Sequence, residues 1–68
     1  MKDIIQLKIA PKDIDLLTKI MEAYEHLGVV STVDRKAGLL IVTGTEDTIP
    51  EVLEVLANAP LPVEIITS

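Results

Sequence analysis

The stretch "IIQLKIAPKDIDLLTKI", residues 4–20, changes its hydrophobic period at Pro11. Before the proline, apolar and polar residues alternate, which is typical of a strand with one buried side. The expected buried positions of this strand are Ile5, Leu7 and Ile9. After the proline, apolar residues recur at the helical period. The expected apolar stripe is Ile14, Leu17, Met21 and Tyr24, with Leu16, Ile20 and Leu27 beside it. The stretch therefore predicts a strand over residues 4–9 and then a helix.

The two ends of this helix have their own signals. Pro11 suits a first turn, where its missing N–H group costs nothing. Asp13 and Asp15 follow, where carboxylates favour the positive end of the helix dipole. Gly28 is expected to end the helix in a left-handed conformation. Tyr24, which lies on the apolar stripe, is expected in the core.

A hairpin is predicted after the first helix. Residues 29–34 are rich in β-branched side chains, and residues 39–43 are another apolar run. Both segments favour strands. Gly38 lies between them, and a glycine between two such runs favours a tight connection.

A second helix and a last strand complete the chain. Thr48 and Glu51 fit the S/T-x-x-E capping box, which predicts that a helix begins there. Its apolar positions recur at helical spacing until Asn58. Two prolines, at positions 60 and 62, prevent continuation of the helix. Residues 63–67 are then expected to form the last strand.

This order of elements predicts one α+β domain over residues 1–68. It is the order of a ferredoxin-like βαββαβ two-layer sandwich, with a four-stranded antiparallel sheet and two helices on one face. Right-handed crossovers place the first and third strands in the centre. The loop of residues 10–13 and the hairpin tip of residues 34–38 should then lie at one end of the sheet. His26 and residues 44–47 should lie at the other.

Composition excludes several classes of partner. Eleven acidic and six basic residues give a net charge of −5, which repels phosphate backbones and anionic lipids, so neither nucleic acid nor a membrane is an expected partner. An RNA-binding sandwich of this topology also needs aromatic residues in its central strands, and the predicted strands contain none. The chain has no Cys, so no thiolate metal site and no disulfide can form. We expect no metal and no cofactor.

The amino-terminal residues have neither the features of a secretory signal nor the length of a membrane span. The expected location is therefore the cytoplasm.

His26 defines the first candidate site. Glu22 or Glu25 together with His26 would provide two metal ligands or an acid/base pair on one helical face. The same residues also suit a solvated helix face, where a charged His26 favours the negative helix end. The sequence favours the second interpretation, so no catalytic residue is assigned, and a minimal enzyme using His26 remains an alternative.

The second candidate site is the predicted loop and hairpin end. Lys12, Arg35 and Lys36 are half of the basic residues and converge beside the start of the first helix. A small anionic ligand is the expected occupant. The predicted ligand-binding residues are Pro11, Lys12, Asp13, Asp34, Arg35 and Lys36. The alternative is that these are ordinary charges on exposed turns, partly neutralised by the two aspartates.

More apolar residues are present than a two-layer sandwich needs. The helix-free face of the sheet is expected to receive some of Ile4, Val30, Leu39 or Ile41, and Ile66. An apolar patch on a small domain usually marks an interface, and a symmetric dimer is the commonest result. We therefore expect a homodimer or a higher oligomer.

The segment "IAPKDIDLLTKIMEAYEHLGVVSTVD", residues 9–34, resembles the ACT domain. The likeness lies in the succession of strand, proline-bearing loop, Leu-rich helix, glycine and strand. Lys12 and Asp13 follow the proline, where amino-acid-binding ACT loops generally carry glycine. The resemblance implies a regulatory βαββαβ module that binds an amino acid or another small metabolite at a dimer interface.

A second resemblance spans nearly the whole chain. The run "MEAYEHLGVVSTVDRKAGLLIV", residues 21–42, with "PKDIDLL" before it, is similar to a family of short uncharacterised prokaryotic proteins classed as a domain of unknown function. The positions that resemble a signature are Glu22, Tyr24, Glu25, His26, Gly28, Thr32, Asp34 and Arg35. No activity comes with this likeness. The preferred hypothesis is a small binding or regulatory module, and the rival is a structural or protein-interaction subunit without a ligand.

Overall fold

The structure is a computed structural model that describes residues 2–67, with side chains described for residues 3–66. It contains four strands and two α-helices in the predicted order. The elements are β1 (Lys2–Lys8), α1 (Ile14–Glu22), β2 (Gly28–Asp34), β3 (Leu39–Thr45), α2 (Ile49–Ala57) and β4 (Glu64–Thr67). A short 3-10 turn, Pro11–Asp13, precedes α1. Neither described helix, at nine residues each, is long and apolar enough to cross a membrane.

The four strands form one sheet in the order β2-β3-β1-β4, and every pair of neighbours is antiparallel. The first and third strands are therefore central, as predicted. Ile5 is opposite Val42 and Leu7 is opposite Leu40, so the buried side chains of the two central strands meet on one face. The α+β two-layer sandwich is confirmed.

The core lies between the helices and this face of the sheet. The alternation predicted for β1 is confirmed, because Ile5, Leu7 and Ile9 are all buried. The remaining buried apolar residues are Ile14, Leu17, Met21, Leu27, Leu40, Val42, Val52 and Leu56. No polar or charged residue is buried among the described side chains.

The end of α1 differs from the prediction. The helix ends at Glu22, and turns follow in which the N–H group of Leu27 donates to the carbonyl oxygen of Tyr24 at 2.8 Å. Gly28 is the first residue of β2 and does not have a positive φ, so the expected left-handed cap is wrong. Its role is close approach: a Cβ there would lie 2.9 Å from the carbonyl oxygen of Thr43.

The expectation that Tyr24 is in the core is also wrong. Its side chain is 39% exposed. The α-helix stops two residues before Tyr24, so the turn moves Tyr24 away from the apolar stripe. Leu17 and Met21 of that stripe are buried in the core.

The second helix begins where predicted, but without a capping box. Thr48 makes no side-chain cap to the helix. Its Oγ1 accepts the N–H group of Thr45 at 2.9 Å instead, which closes the turn between β3 and α2. Glu51 therefore has no capping partner to reciprocate, and the predicted Thr48–Glu51 box is wrong.

The predicted hairpin between β2 and β3 is present. Gly38 has a φ of +70°, in the left-handed region that favours glycine. The carboxylate of Asp34 accepts the N–H group of Ala37 at 3.1 Å and closes the turn from its other side. The N–H group of Ile9 donates to the carbonyl oxygen of Gly38 at 2.9 Å, which ties the tip to the end of β1.

Candidate functional site

The predicted ligand site lies at the end of the sheet where β1 leads into α1. The Ile9–Gly38 hydrogen bond confirms that this loop and the hairpin tip are neighbours. We call this region the loop end, meaning residues 8–15, 34–38 and 62–64. An open depression here is bordered by Lys8, Pro11 and Lys36 from one side and by Pro62 and Glu64 from the other. The structure thus brings Pro11 and Lys36 together, as predicted.

Lys8 is a residue that the sequence interpretation missed. It ends β1 and lies on the rim of the same depression as Lys36, so two ammonium groups border one surface hollow. The available signal was the strand alternation, which places Lys8 on the side opposite Leu7 and next to the predicted loop.

The other four predicted residues share this end but do not line the depression. Arg35 forms an ion pair with Asp15 at 3.5 Å, and both side chains are largely exposed. Such exposed pairs contribute little, about 0–1 kcal/mol, so Arg35 is only loosely held. Asp34 closes the hairpin turn through Ala37. A ligand-binding role for the six residues stays a prediction.

Lys12 and Asp13 lie on the 3-10 turn before α1. The N–H group of Asp13 donates to the carbonyl oxygen of Ala10 at 2.8 Å, and Lys12 is exposed. This turn provides a short, fixed connection beside the depression, but no side-chain cap anchors it.

Charge is unevenly distributed along the molecule. The loop end has four of the six basic residues, Lys8, Lys12, Arg35 and Lys36, and four acidic ones, Asp13, Asp15, Asp34 and Glu64. The rest of the chain has two basic and seven acidic residues and so carries the whole net charge of −5. An anion therefore meets the least repulsion at the loop end.

His26 lies at the opposite end of the sheet, as predicted. It borders a shallow hollow with Gly44 and Thr48. Its ring centroid lies 6.4 Å from that of Tyr24, with the rings tilted by 39°. Among the described side chains, His26 has no hydrogen-bond or ion-pair partner.

Glu22 and Glu25, the proposed partners of His26, are exposed like His26 itself. Within residues 3–66, no group of three or more His, Cys, Asp or Glu side chains is close enough to hold a metal ion. Glu25 nevertheless lines the same hollow as His26, so the structure brings this predicted pair to one surface, without a hydrogen bond or ion pair between the described side chains.

The helix-free side of the sheet, which we call the open face, is apolar. Its apolar members are Ile4, Val29, Val33, Leu39, Ile41 and Ile66. Val29, Val33 and Ile4 are the most exposed large apolar side chains, at 64%, 59% and 52%. Gln6, Ser31 and Thr43 lie among them and carry no charge.

Val30 is not on the open face, contrary to the sequence interpretation. It pairs with Val42, which faces the helices, and it packs against the core. Val29 and Val33 are exposed instead. Because both faces of β2 offer β-branched residues, the sequence of this strand does not reveal which set is buried.

A family model described as "Domain of unknown function (DUF4911)" matches residues 7–63. The chain belongs to the DUF4911 family. No curated protein and no solved structure matches it. The matched part of this DUF4911 chain runs from β1 to the residue before β4, so it contains His26 and all of the loop end except Glu64. The predicted membership of an uncharacterised family is confirmed.

Proposed function

We propose that this chain is a cytoplasmic binding module that forms a homodimer through the open face of its sheet and takes a small anionic metabolite at the loop end. The observation that carries the proposal is the open face itself. Exposure of apolar side chains to water costs about 25 cal/mol for each Å² of apolar accessible surface. A second copy of the same face removes that contact.

The size of the open face suits a small dimer. Three seven-residue strands and the four-residue β4, side by side, give a flat footprint of about 400 Å². The accessible area of a face covered by side chains exceeds its flat footprint. Two such faces thus approach the roughly 1,200 Å² at which specific interfaces begin.

The charge distribution also suits this association. On the open face, Lys8 and Glu64 are opposite each other at the loop end, and the middle of the face has no charge among the described side chains. The acidic residues of α1 and α2 are on the helix side. Two chains of charge −5 can therefore meet without placing like charges in contact.

The anion site and the interface share a border. Lys8 belongs to the open face and also to the rim of the depression that contains Lys36. A bound anion would be close to the partner copy, so binding and dimerisation would strengthen each other. The resemblance to ACT modules, which bind metabolites at dimer interfaces, supports the same arrangement.

Sedimentation equilibrium at micromolar concentration tests the dimer. The wild-type chain should have twice its monomer mass, and Val33→Asp on the open face should be monomeric. Leu16→Asp is the matched control, since Leu16 is also exposed but lies on the helix side, and it should leave the dimer intact. A monomeric wild type would refute the proposal. If Leu16→Asp dissociated the dimer and Val33→Asp did not, the interface would lie on the helices.

Thermal unfolding with inorganic phosphate or citrate as the probe tests the anion site. Either anion should raise the melting temperature of the wild type. Lys8→Gln combined with Lys36→Gln should remove the effect, while Lys19→Gln, which removes a charge on α1, should retain it. If neither anion raises the melting temperature, the dimer is a structural subunit without a ligand.

A further inference from the structure

The two helices leave a groove between them on the side of the molecule opposite the open face. One wall is formed by Leu16 and Ile20 of α1 and by Tyr24 of the turn after it, and the α2 wall includes Val55. Leu16 and Tyr24 are 43% and 39% exposed. This wall of the groove is therefore apolar and in contact with water.

The lining residues follow two helical rows. Leu16, Ile20 and Tyr24 are four residues apart and form one row along α1 and the turn after it. Along α2, Glu51 and Val55 are likewise four residues apart. Because β1 and β3 are antiparallel and each leads into a helix, α1 and α2 run in opposite directions along the groove.

The α2 wall is acidic. Glu51 and Glu54 line the groove, and the sequence has no Lys or Arg after Lys36. Among the described residues the only ion pair is Arg35–Asp15, at the loop end, so neither glutamate is paired with a described cation. The side-chain amide of Asn58 donates to the carbonyl oxygen of Glu54 at 2.8 Å and closes the end of this wall.

We propose that this groove binds a basic amphipathic helix of a partner protein. Apolar side chains of the partner at i and i+4 would cover Leu16, Ile20 and Tyr24. Lys or Arg side chains beside that stripe would meet Glu51 and Glu54. Each wall helix has nine residues and is about 14 Å long, so the groove holds two to three turns of the partner. The inference goes beyond the proposed function, because the groove and the open face lie on opposite sides.

Charge complementarity selects this occupant. An acidic wall repels acidic peptides, nucleic acids and anionic lipids, and it attracts a cationic segment. A second copy of this chain is the competing occupant, since its own α1 carries Lys19 beside Leu16 and Ile20. The experiment below distinguishes the two.

Tyr24 gives a direct measurement, because it is the only aromatic residue of the chain and lies in the groove. The probe is a synthetic peptide of leucine and lysine, about four helical turns long, with leucines at helical spacing. Titration should give a saturable change in tyrosine fluorescence. A peptide of the same composition in scrambled order should give none at the same concentrations.

Two matched variants separate the groove from general attraction to an acidic protein. Glu51→Gln with Glu54→Gln should weaken binding of the peptide by about tenfold. Glu46→Gln with Asp47→Asn removes the same charge from the turn before α2, outside the groove, and should change affinity by less than about threefold. An equal loss in both variants would mean non-specific attraction and would overturn the proposal.

Leu16→Ser tests the apolar wall of the groove. Circular dichroism checks that the variant is folded. Because Leu16 is exposed, the variant should fold and bind the peptide several-fold more weakly. Unchanged affinity in this variant would contradict the proposal. If tyrosine fluorescence of the protein alone changes on dilution, and Glu51→Gln with Glu54→Gln abolishes that change, a second copy fills the groove and the partner helix is excluded.

Discussion

The N–H group of Ile9 donates to the carbonyl oxygen of Gly38, and a Cβ on Gly38 would overlap the carbonyl oxygen of Ile9. The hairpin tip and the end of β1 are therefore in backbone contact, with no side chain between them. Lys8 and Lys36 border one depression because this contact fixes the two segments that carry them.

Replacement of Gly38 should be costly. In Gly38→Ala, the left-handed φ of +70° costs about 1–2 kcal/mol and the overlap with Ile9 adds to it, so we expect a loss of more than about 2 kcal/mol in urea unfolding. Gly38→Asn should lose nearly as much, although Asn tolerates this φ. Near-normal stability of the Asn variant would show that φ alone matters there.

Two neighbouring leucines of α1 should differ sharply. Leu17 is fully buried, and Leu17→Ala should cost about 2–5 kcal/mol through lost contacts and a cavity. Leu16 is exposed, and Leu16→Ala should stay within about 0.5 kcal/mol of the wild type. Thermal or urea unfolding of the two variants compares them, and similar losses would contradict the orientation of α1.

Asp34 and Arg35 should also differ, although both are exposed. Asp34→Ala removes the acceptor of the Ala37 N–H group and should cost about 0.5–1.5 kcal/mol. Arg35→Ala breaks only a long surface ion pair with Asp15 and should cost less than about 0.5 kcal/mol. Urea unfolding measures the loss of stability in both variants. A larger loss in Arg35→Ala than in Asp34→Ala would argue against the hairpin turn described above.

The turn before α2 gives a test of the hydrogen bonds that replace a capping box. Thr48→Val keeps the shape but removes the acceptor of the Thr45 N–H group, and should cost about 1 kcal/mol. Glu51→Gln should leave stability nearly unchanged, because Glu51 caps nothing. If Glu51→Gln proved the more damaging in chemical unfolding, a reciprocal cap would exist after all.

Self-association predicts a stability that depends on protein concentration. Because only the folded chain dimerises, the melting temperature of the wild type should rise with concentration in scanning calorimetry. Val33→Asp, which places a charge on the open face, should melt at the same temperature across the range. A hundredfold rise in protein concentration should stabilise a dimer by about 2.7 kcal/mol. A wild-type melting temperature that did not change over this range would therefore argue for a monomer.

The sequence predicts the layers of this fold well, because its periods are local. Ile5, Leu7 and Ile9 alternate, and Ile14, Leu17 and Met21 recur at helical spacing, so the buried faces of β1 and α1 follow directly. Proline and glycine at the connections then leave few topologies open. The position of the loop end follows from the order of the elements alone.

Features that depend on tertiary contact were not predictable in this way. Val29 and Val30 are chemically identical neighbours, and only pairing with β3 decides that Val30 is inside. Thr48 and Glu51 have the correct spacing for a box, yet Thr45 competes for the Thr48 oxygen. The groove needs both helices in place, so no local pattern of α1 or α2 indicates it.

The two edges of the sheet differ from its apolar face in a way that limits aggregation. At one edge, β2 has a register shift around Val33, and such bulges twist an edge strand away from regular pairing. At the other edge, β4 pairs with β1 through a second register shift, between Gln6 and Leu7. Neither edge is a good template for strand addition. A chain rich in Ile, Leu and Val can therefore associate by stacking its faces while its rims resist growth into fibrils.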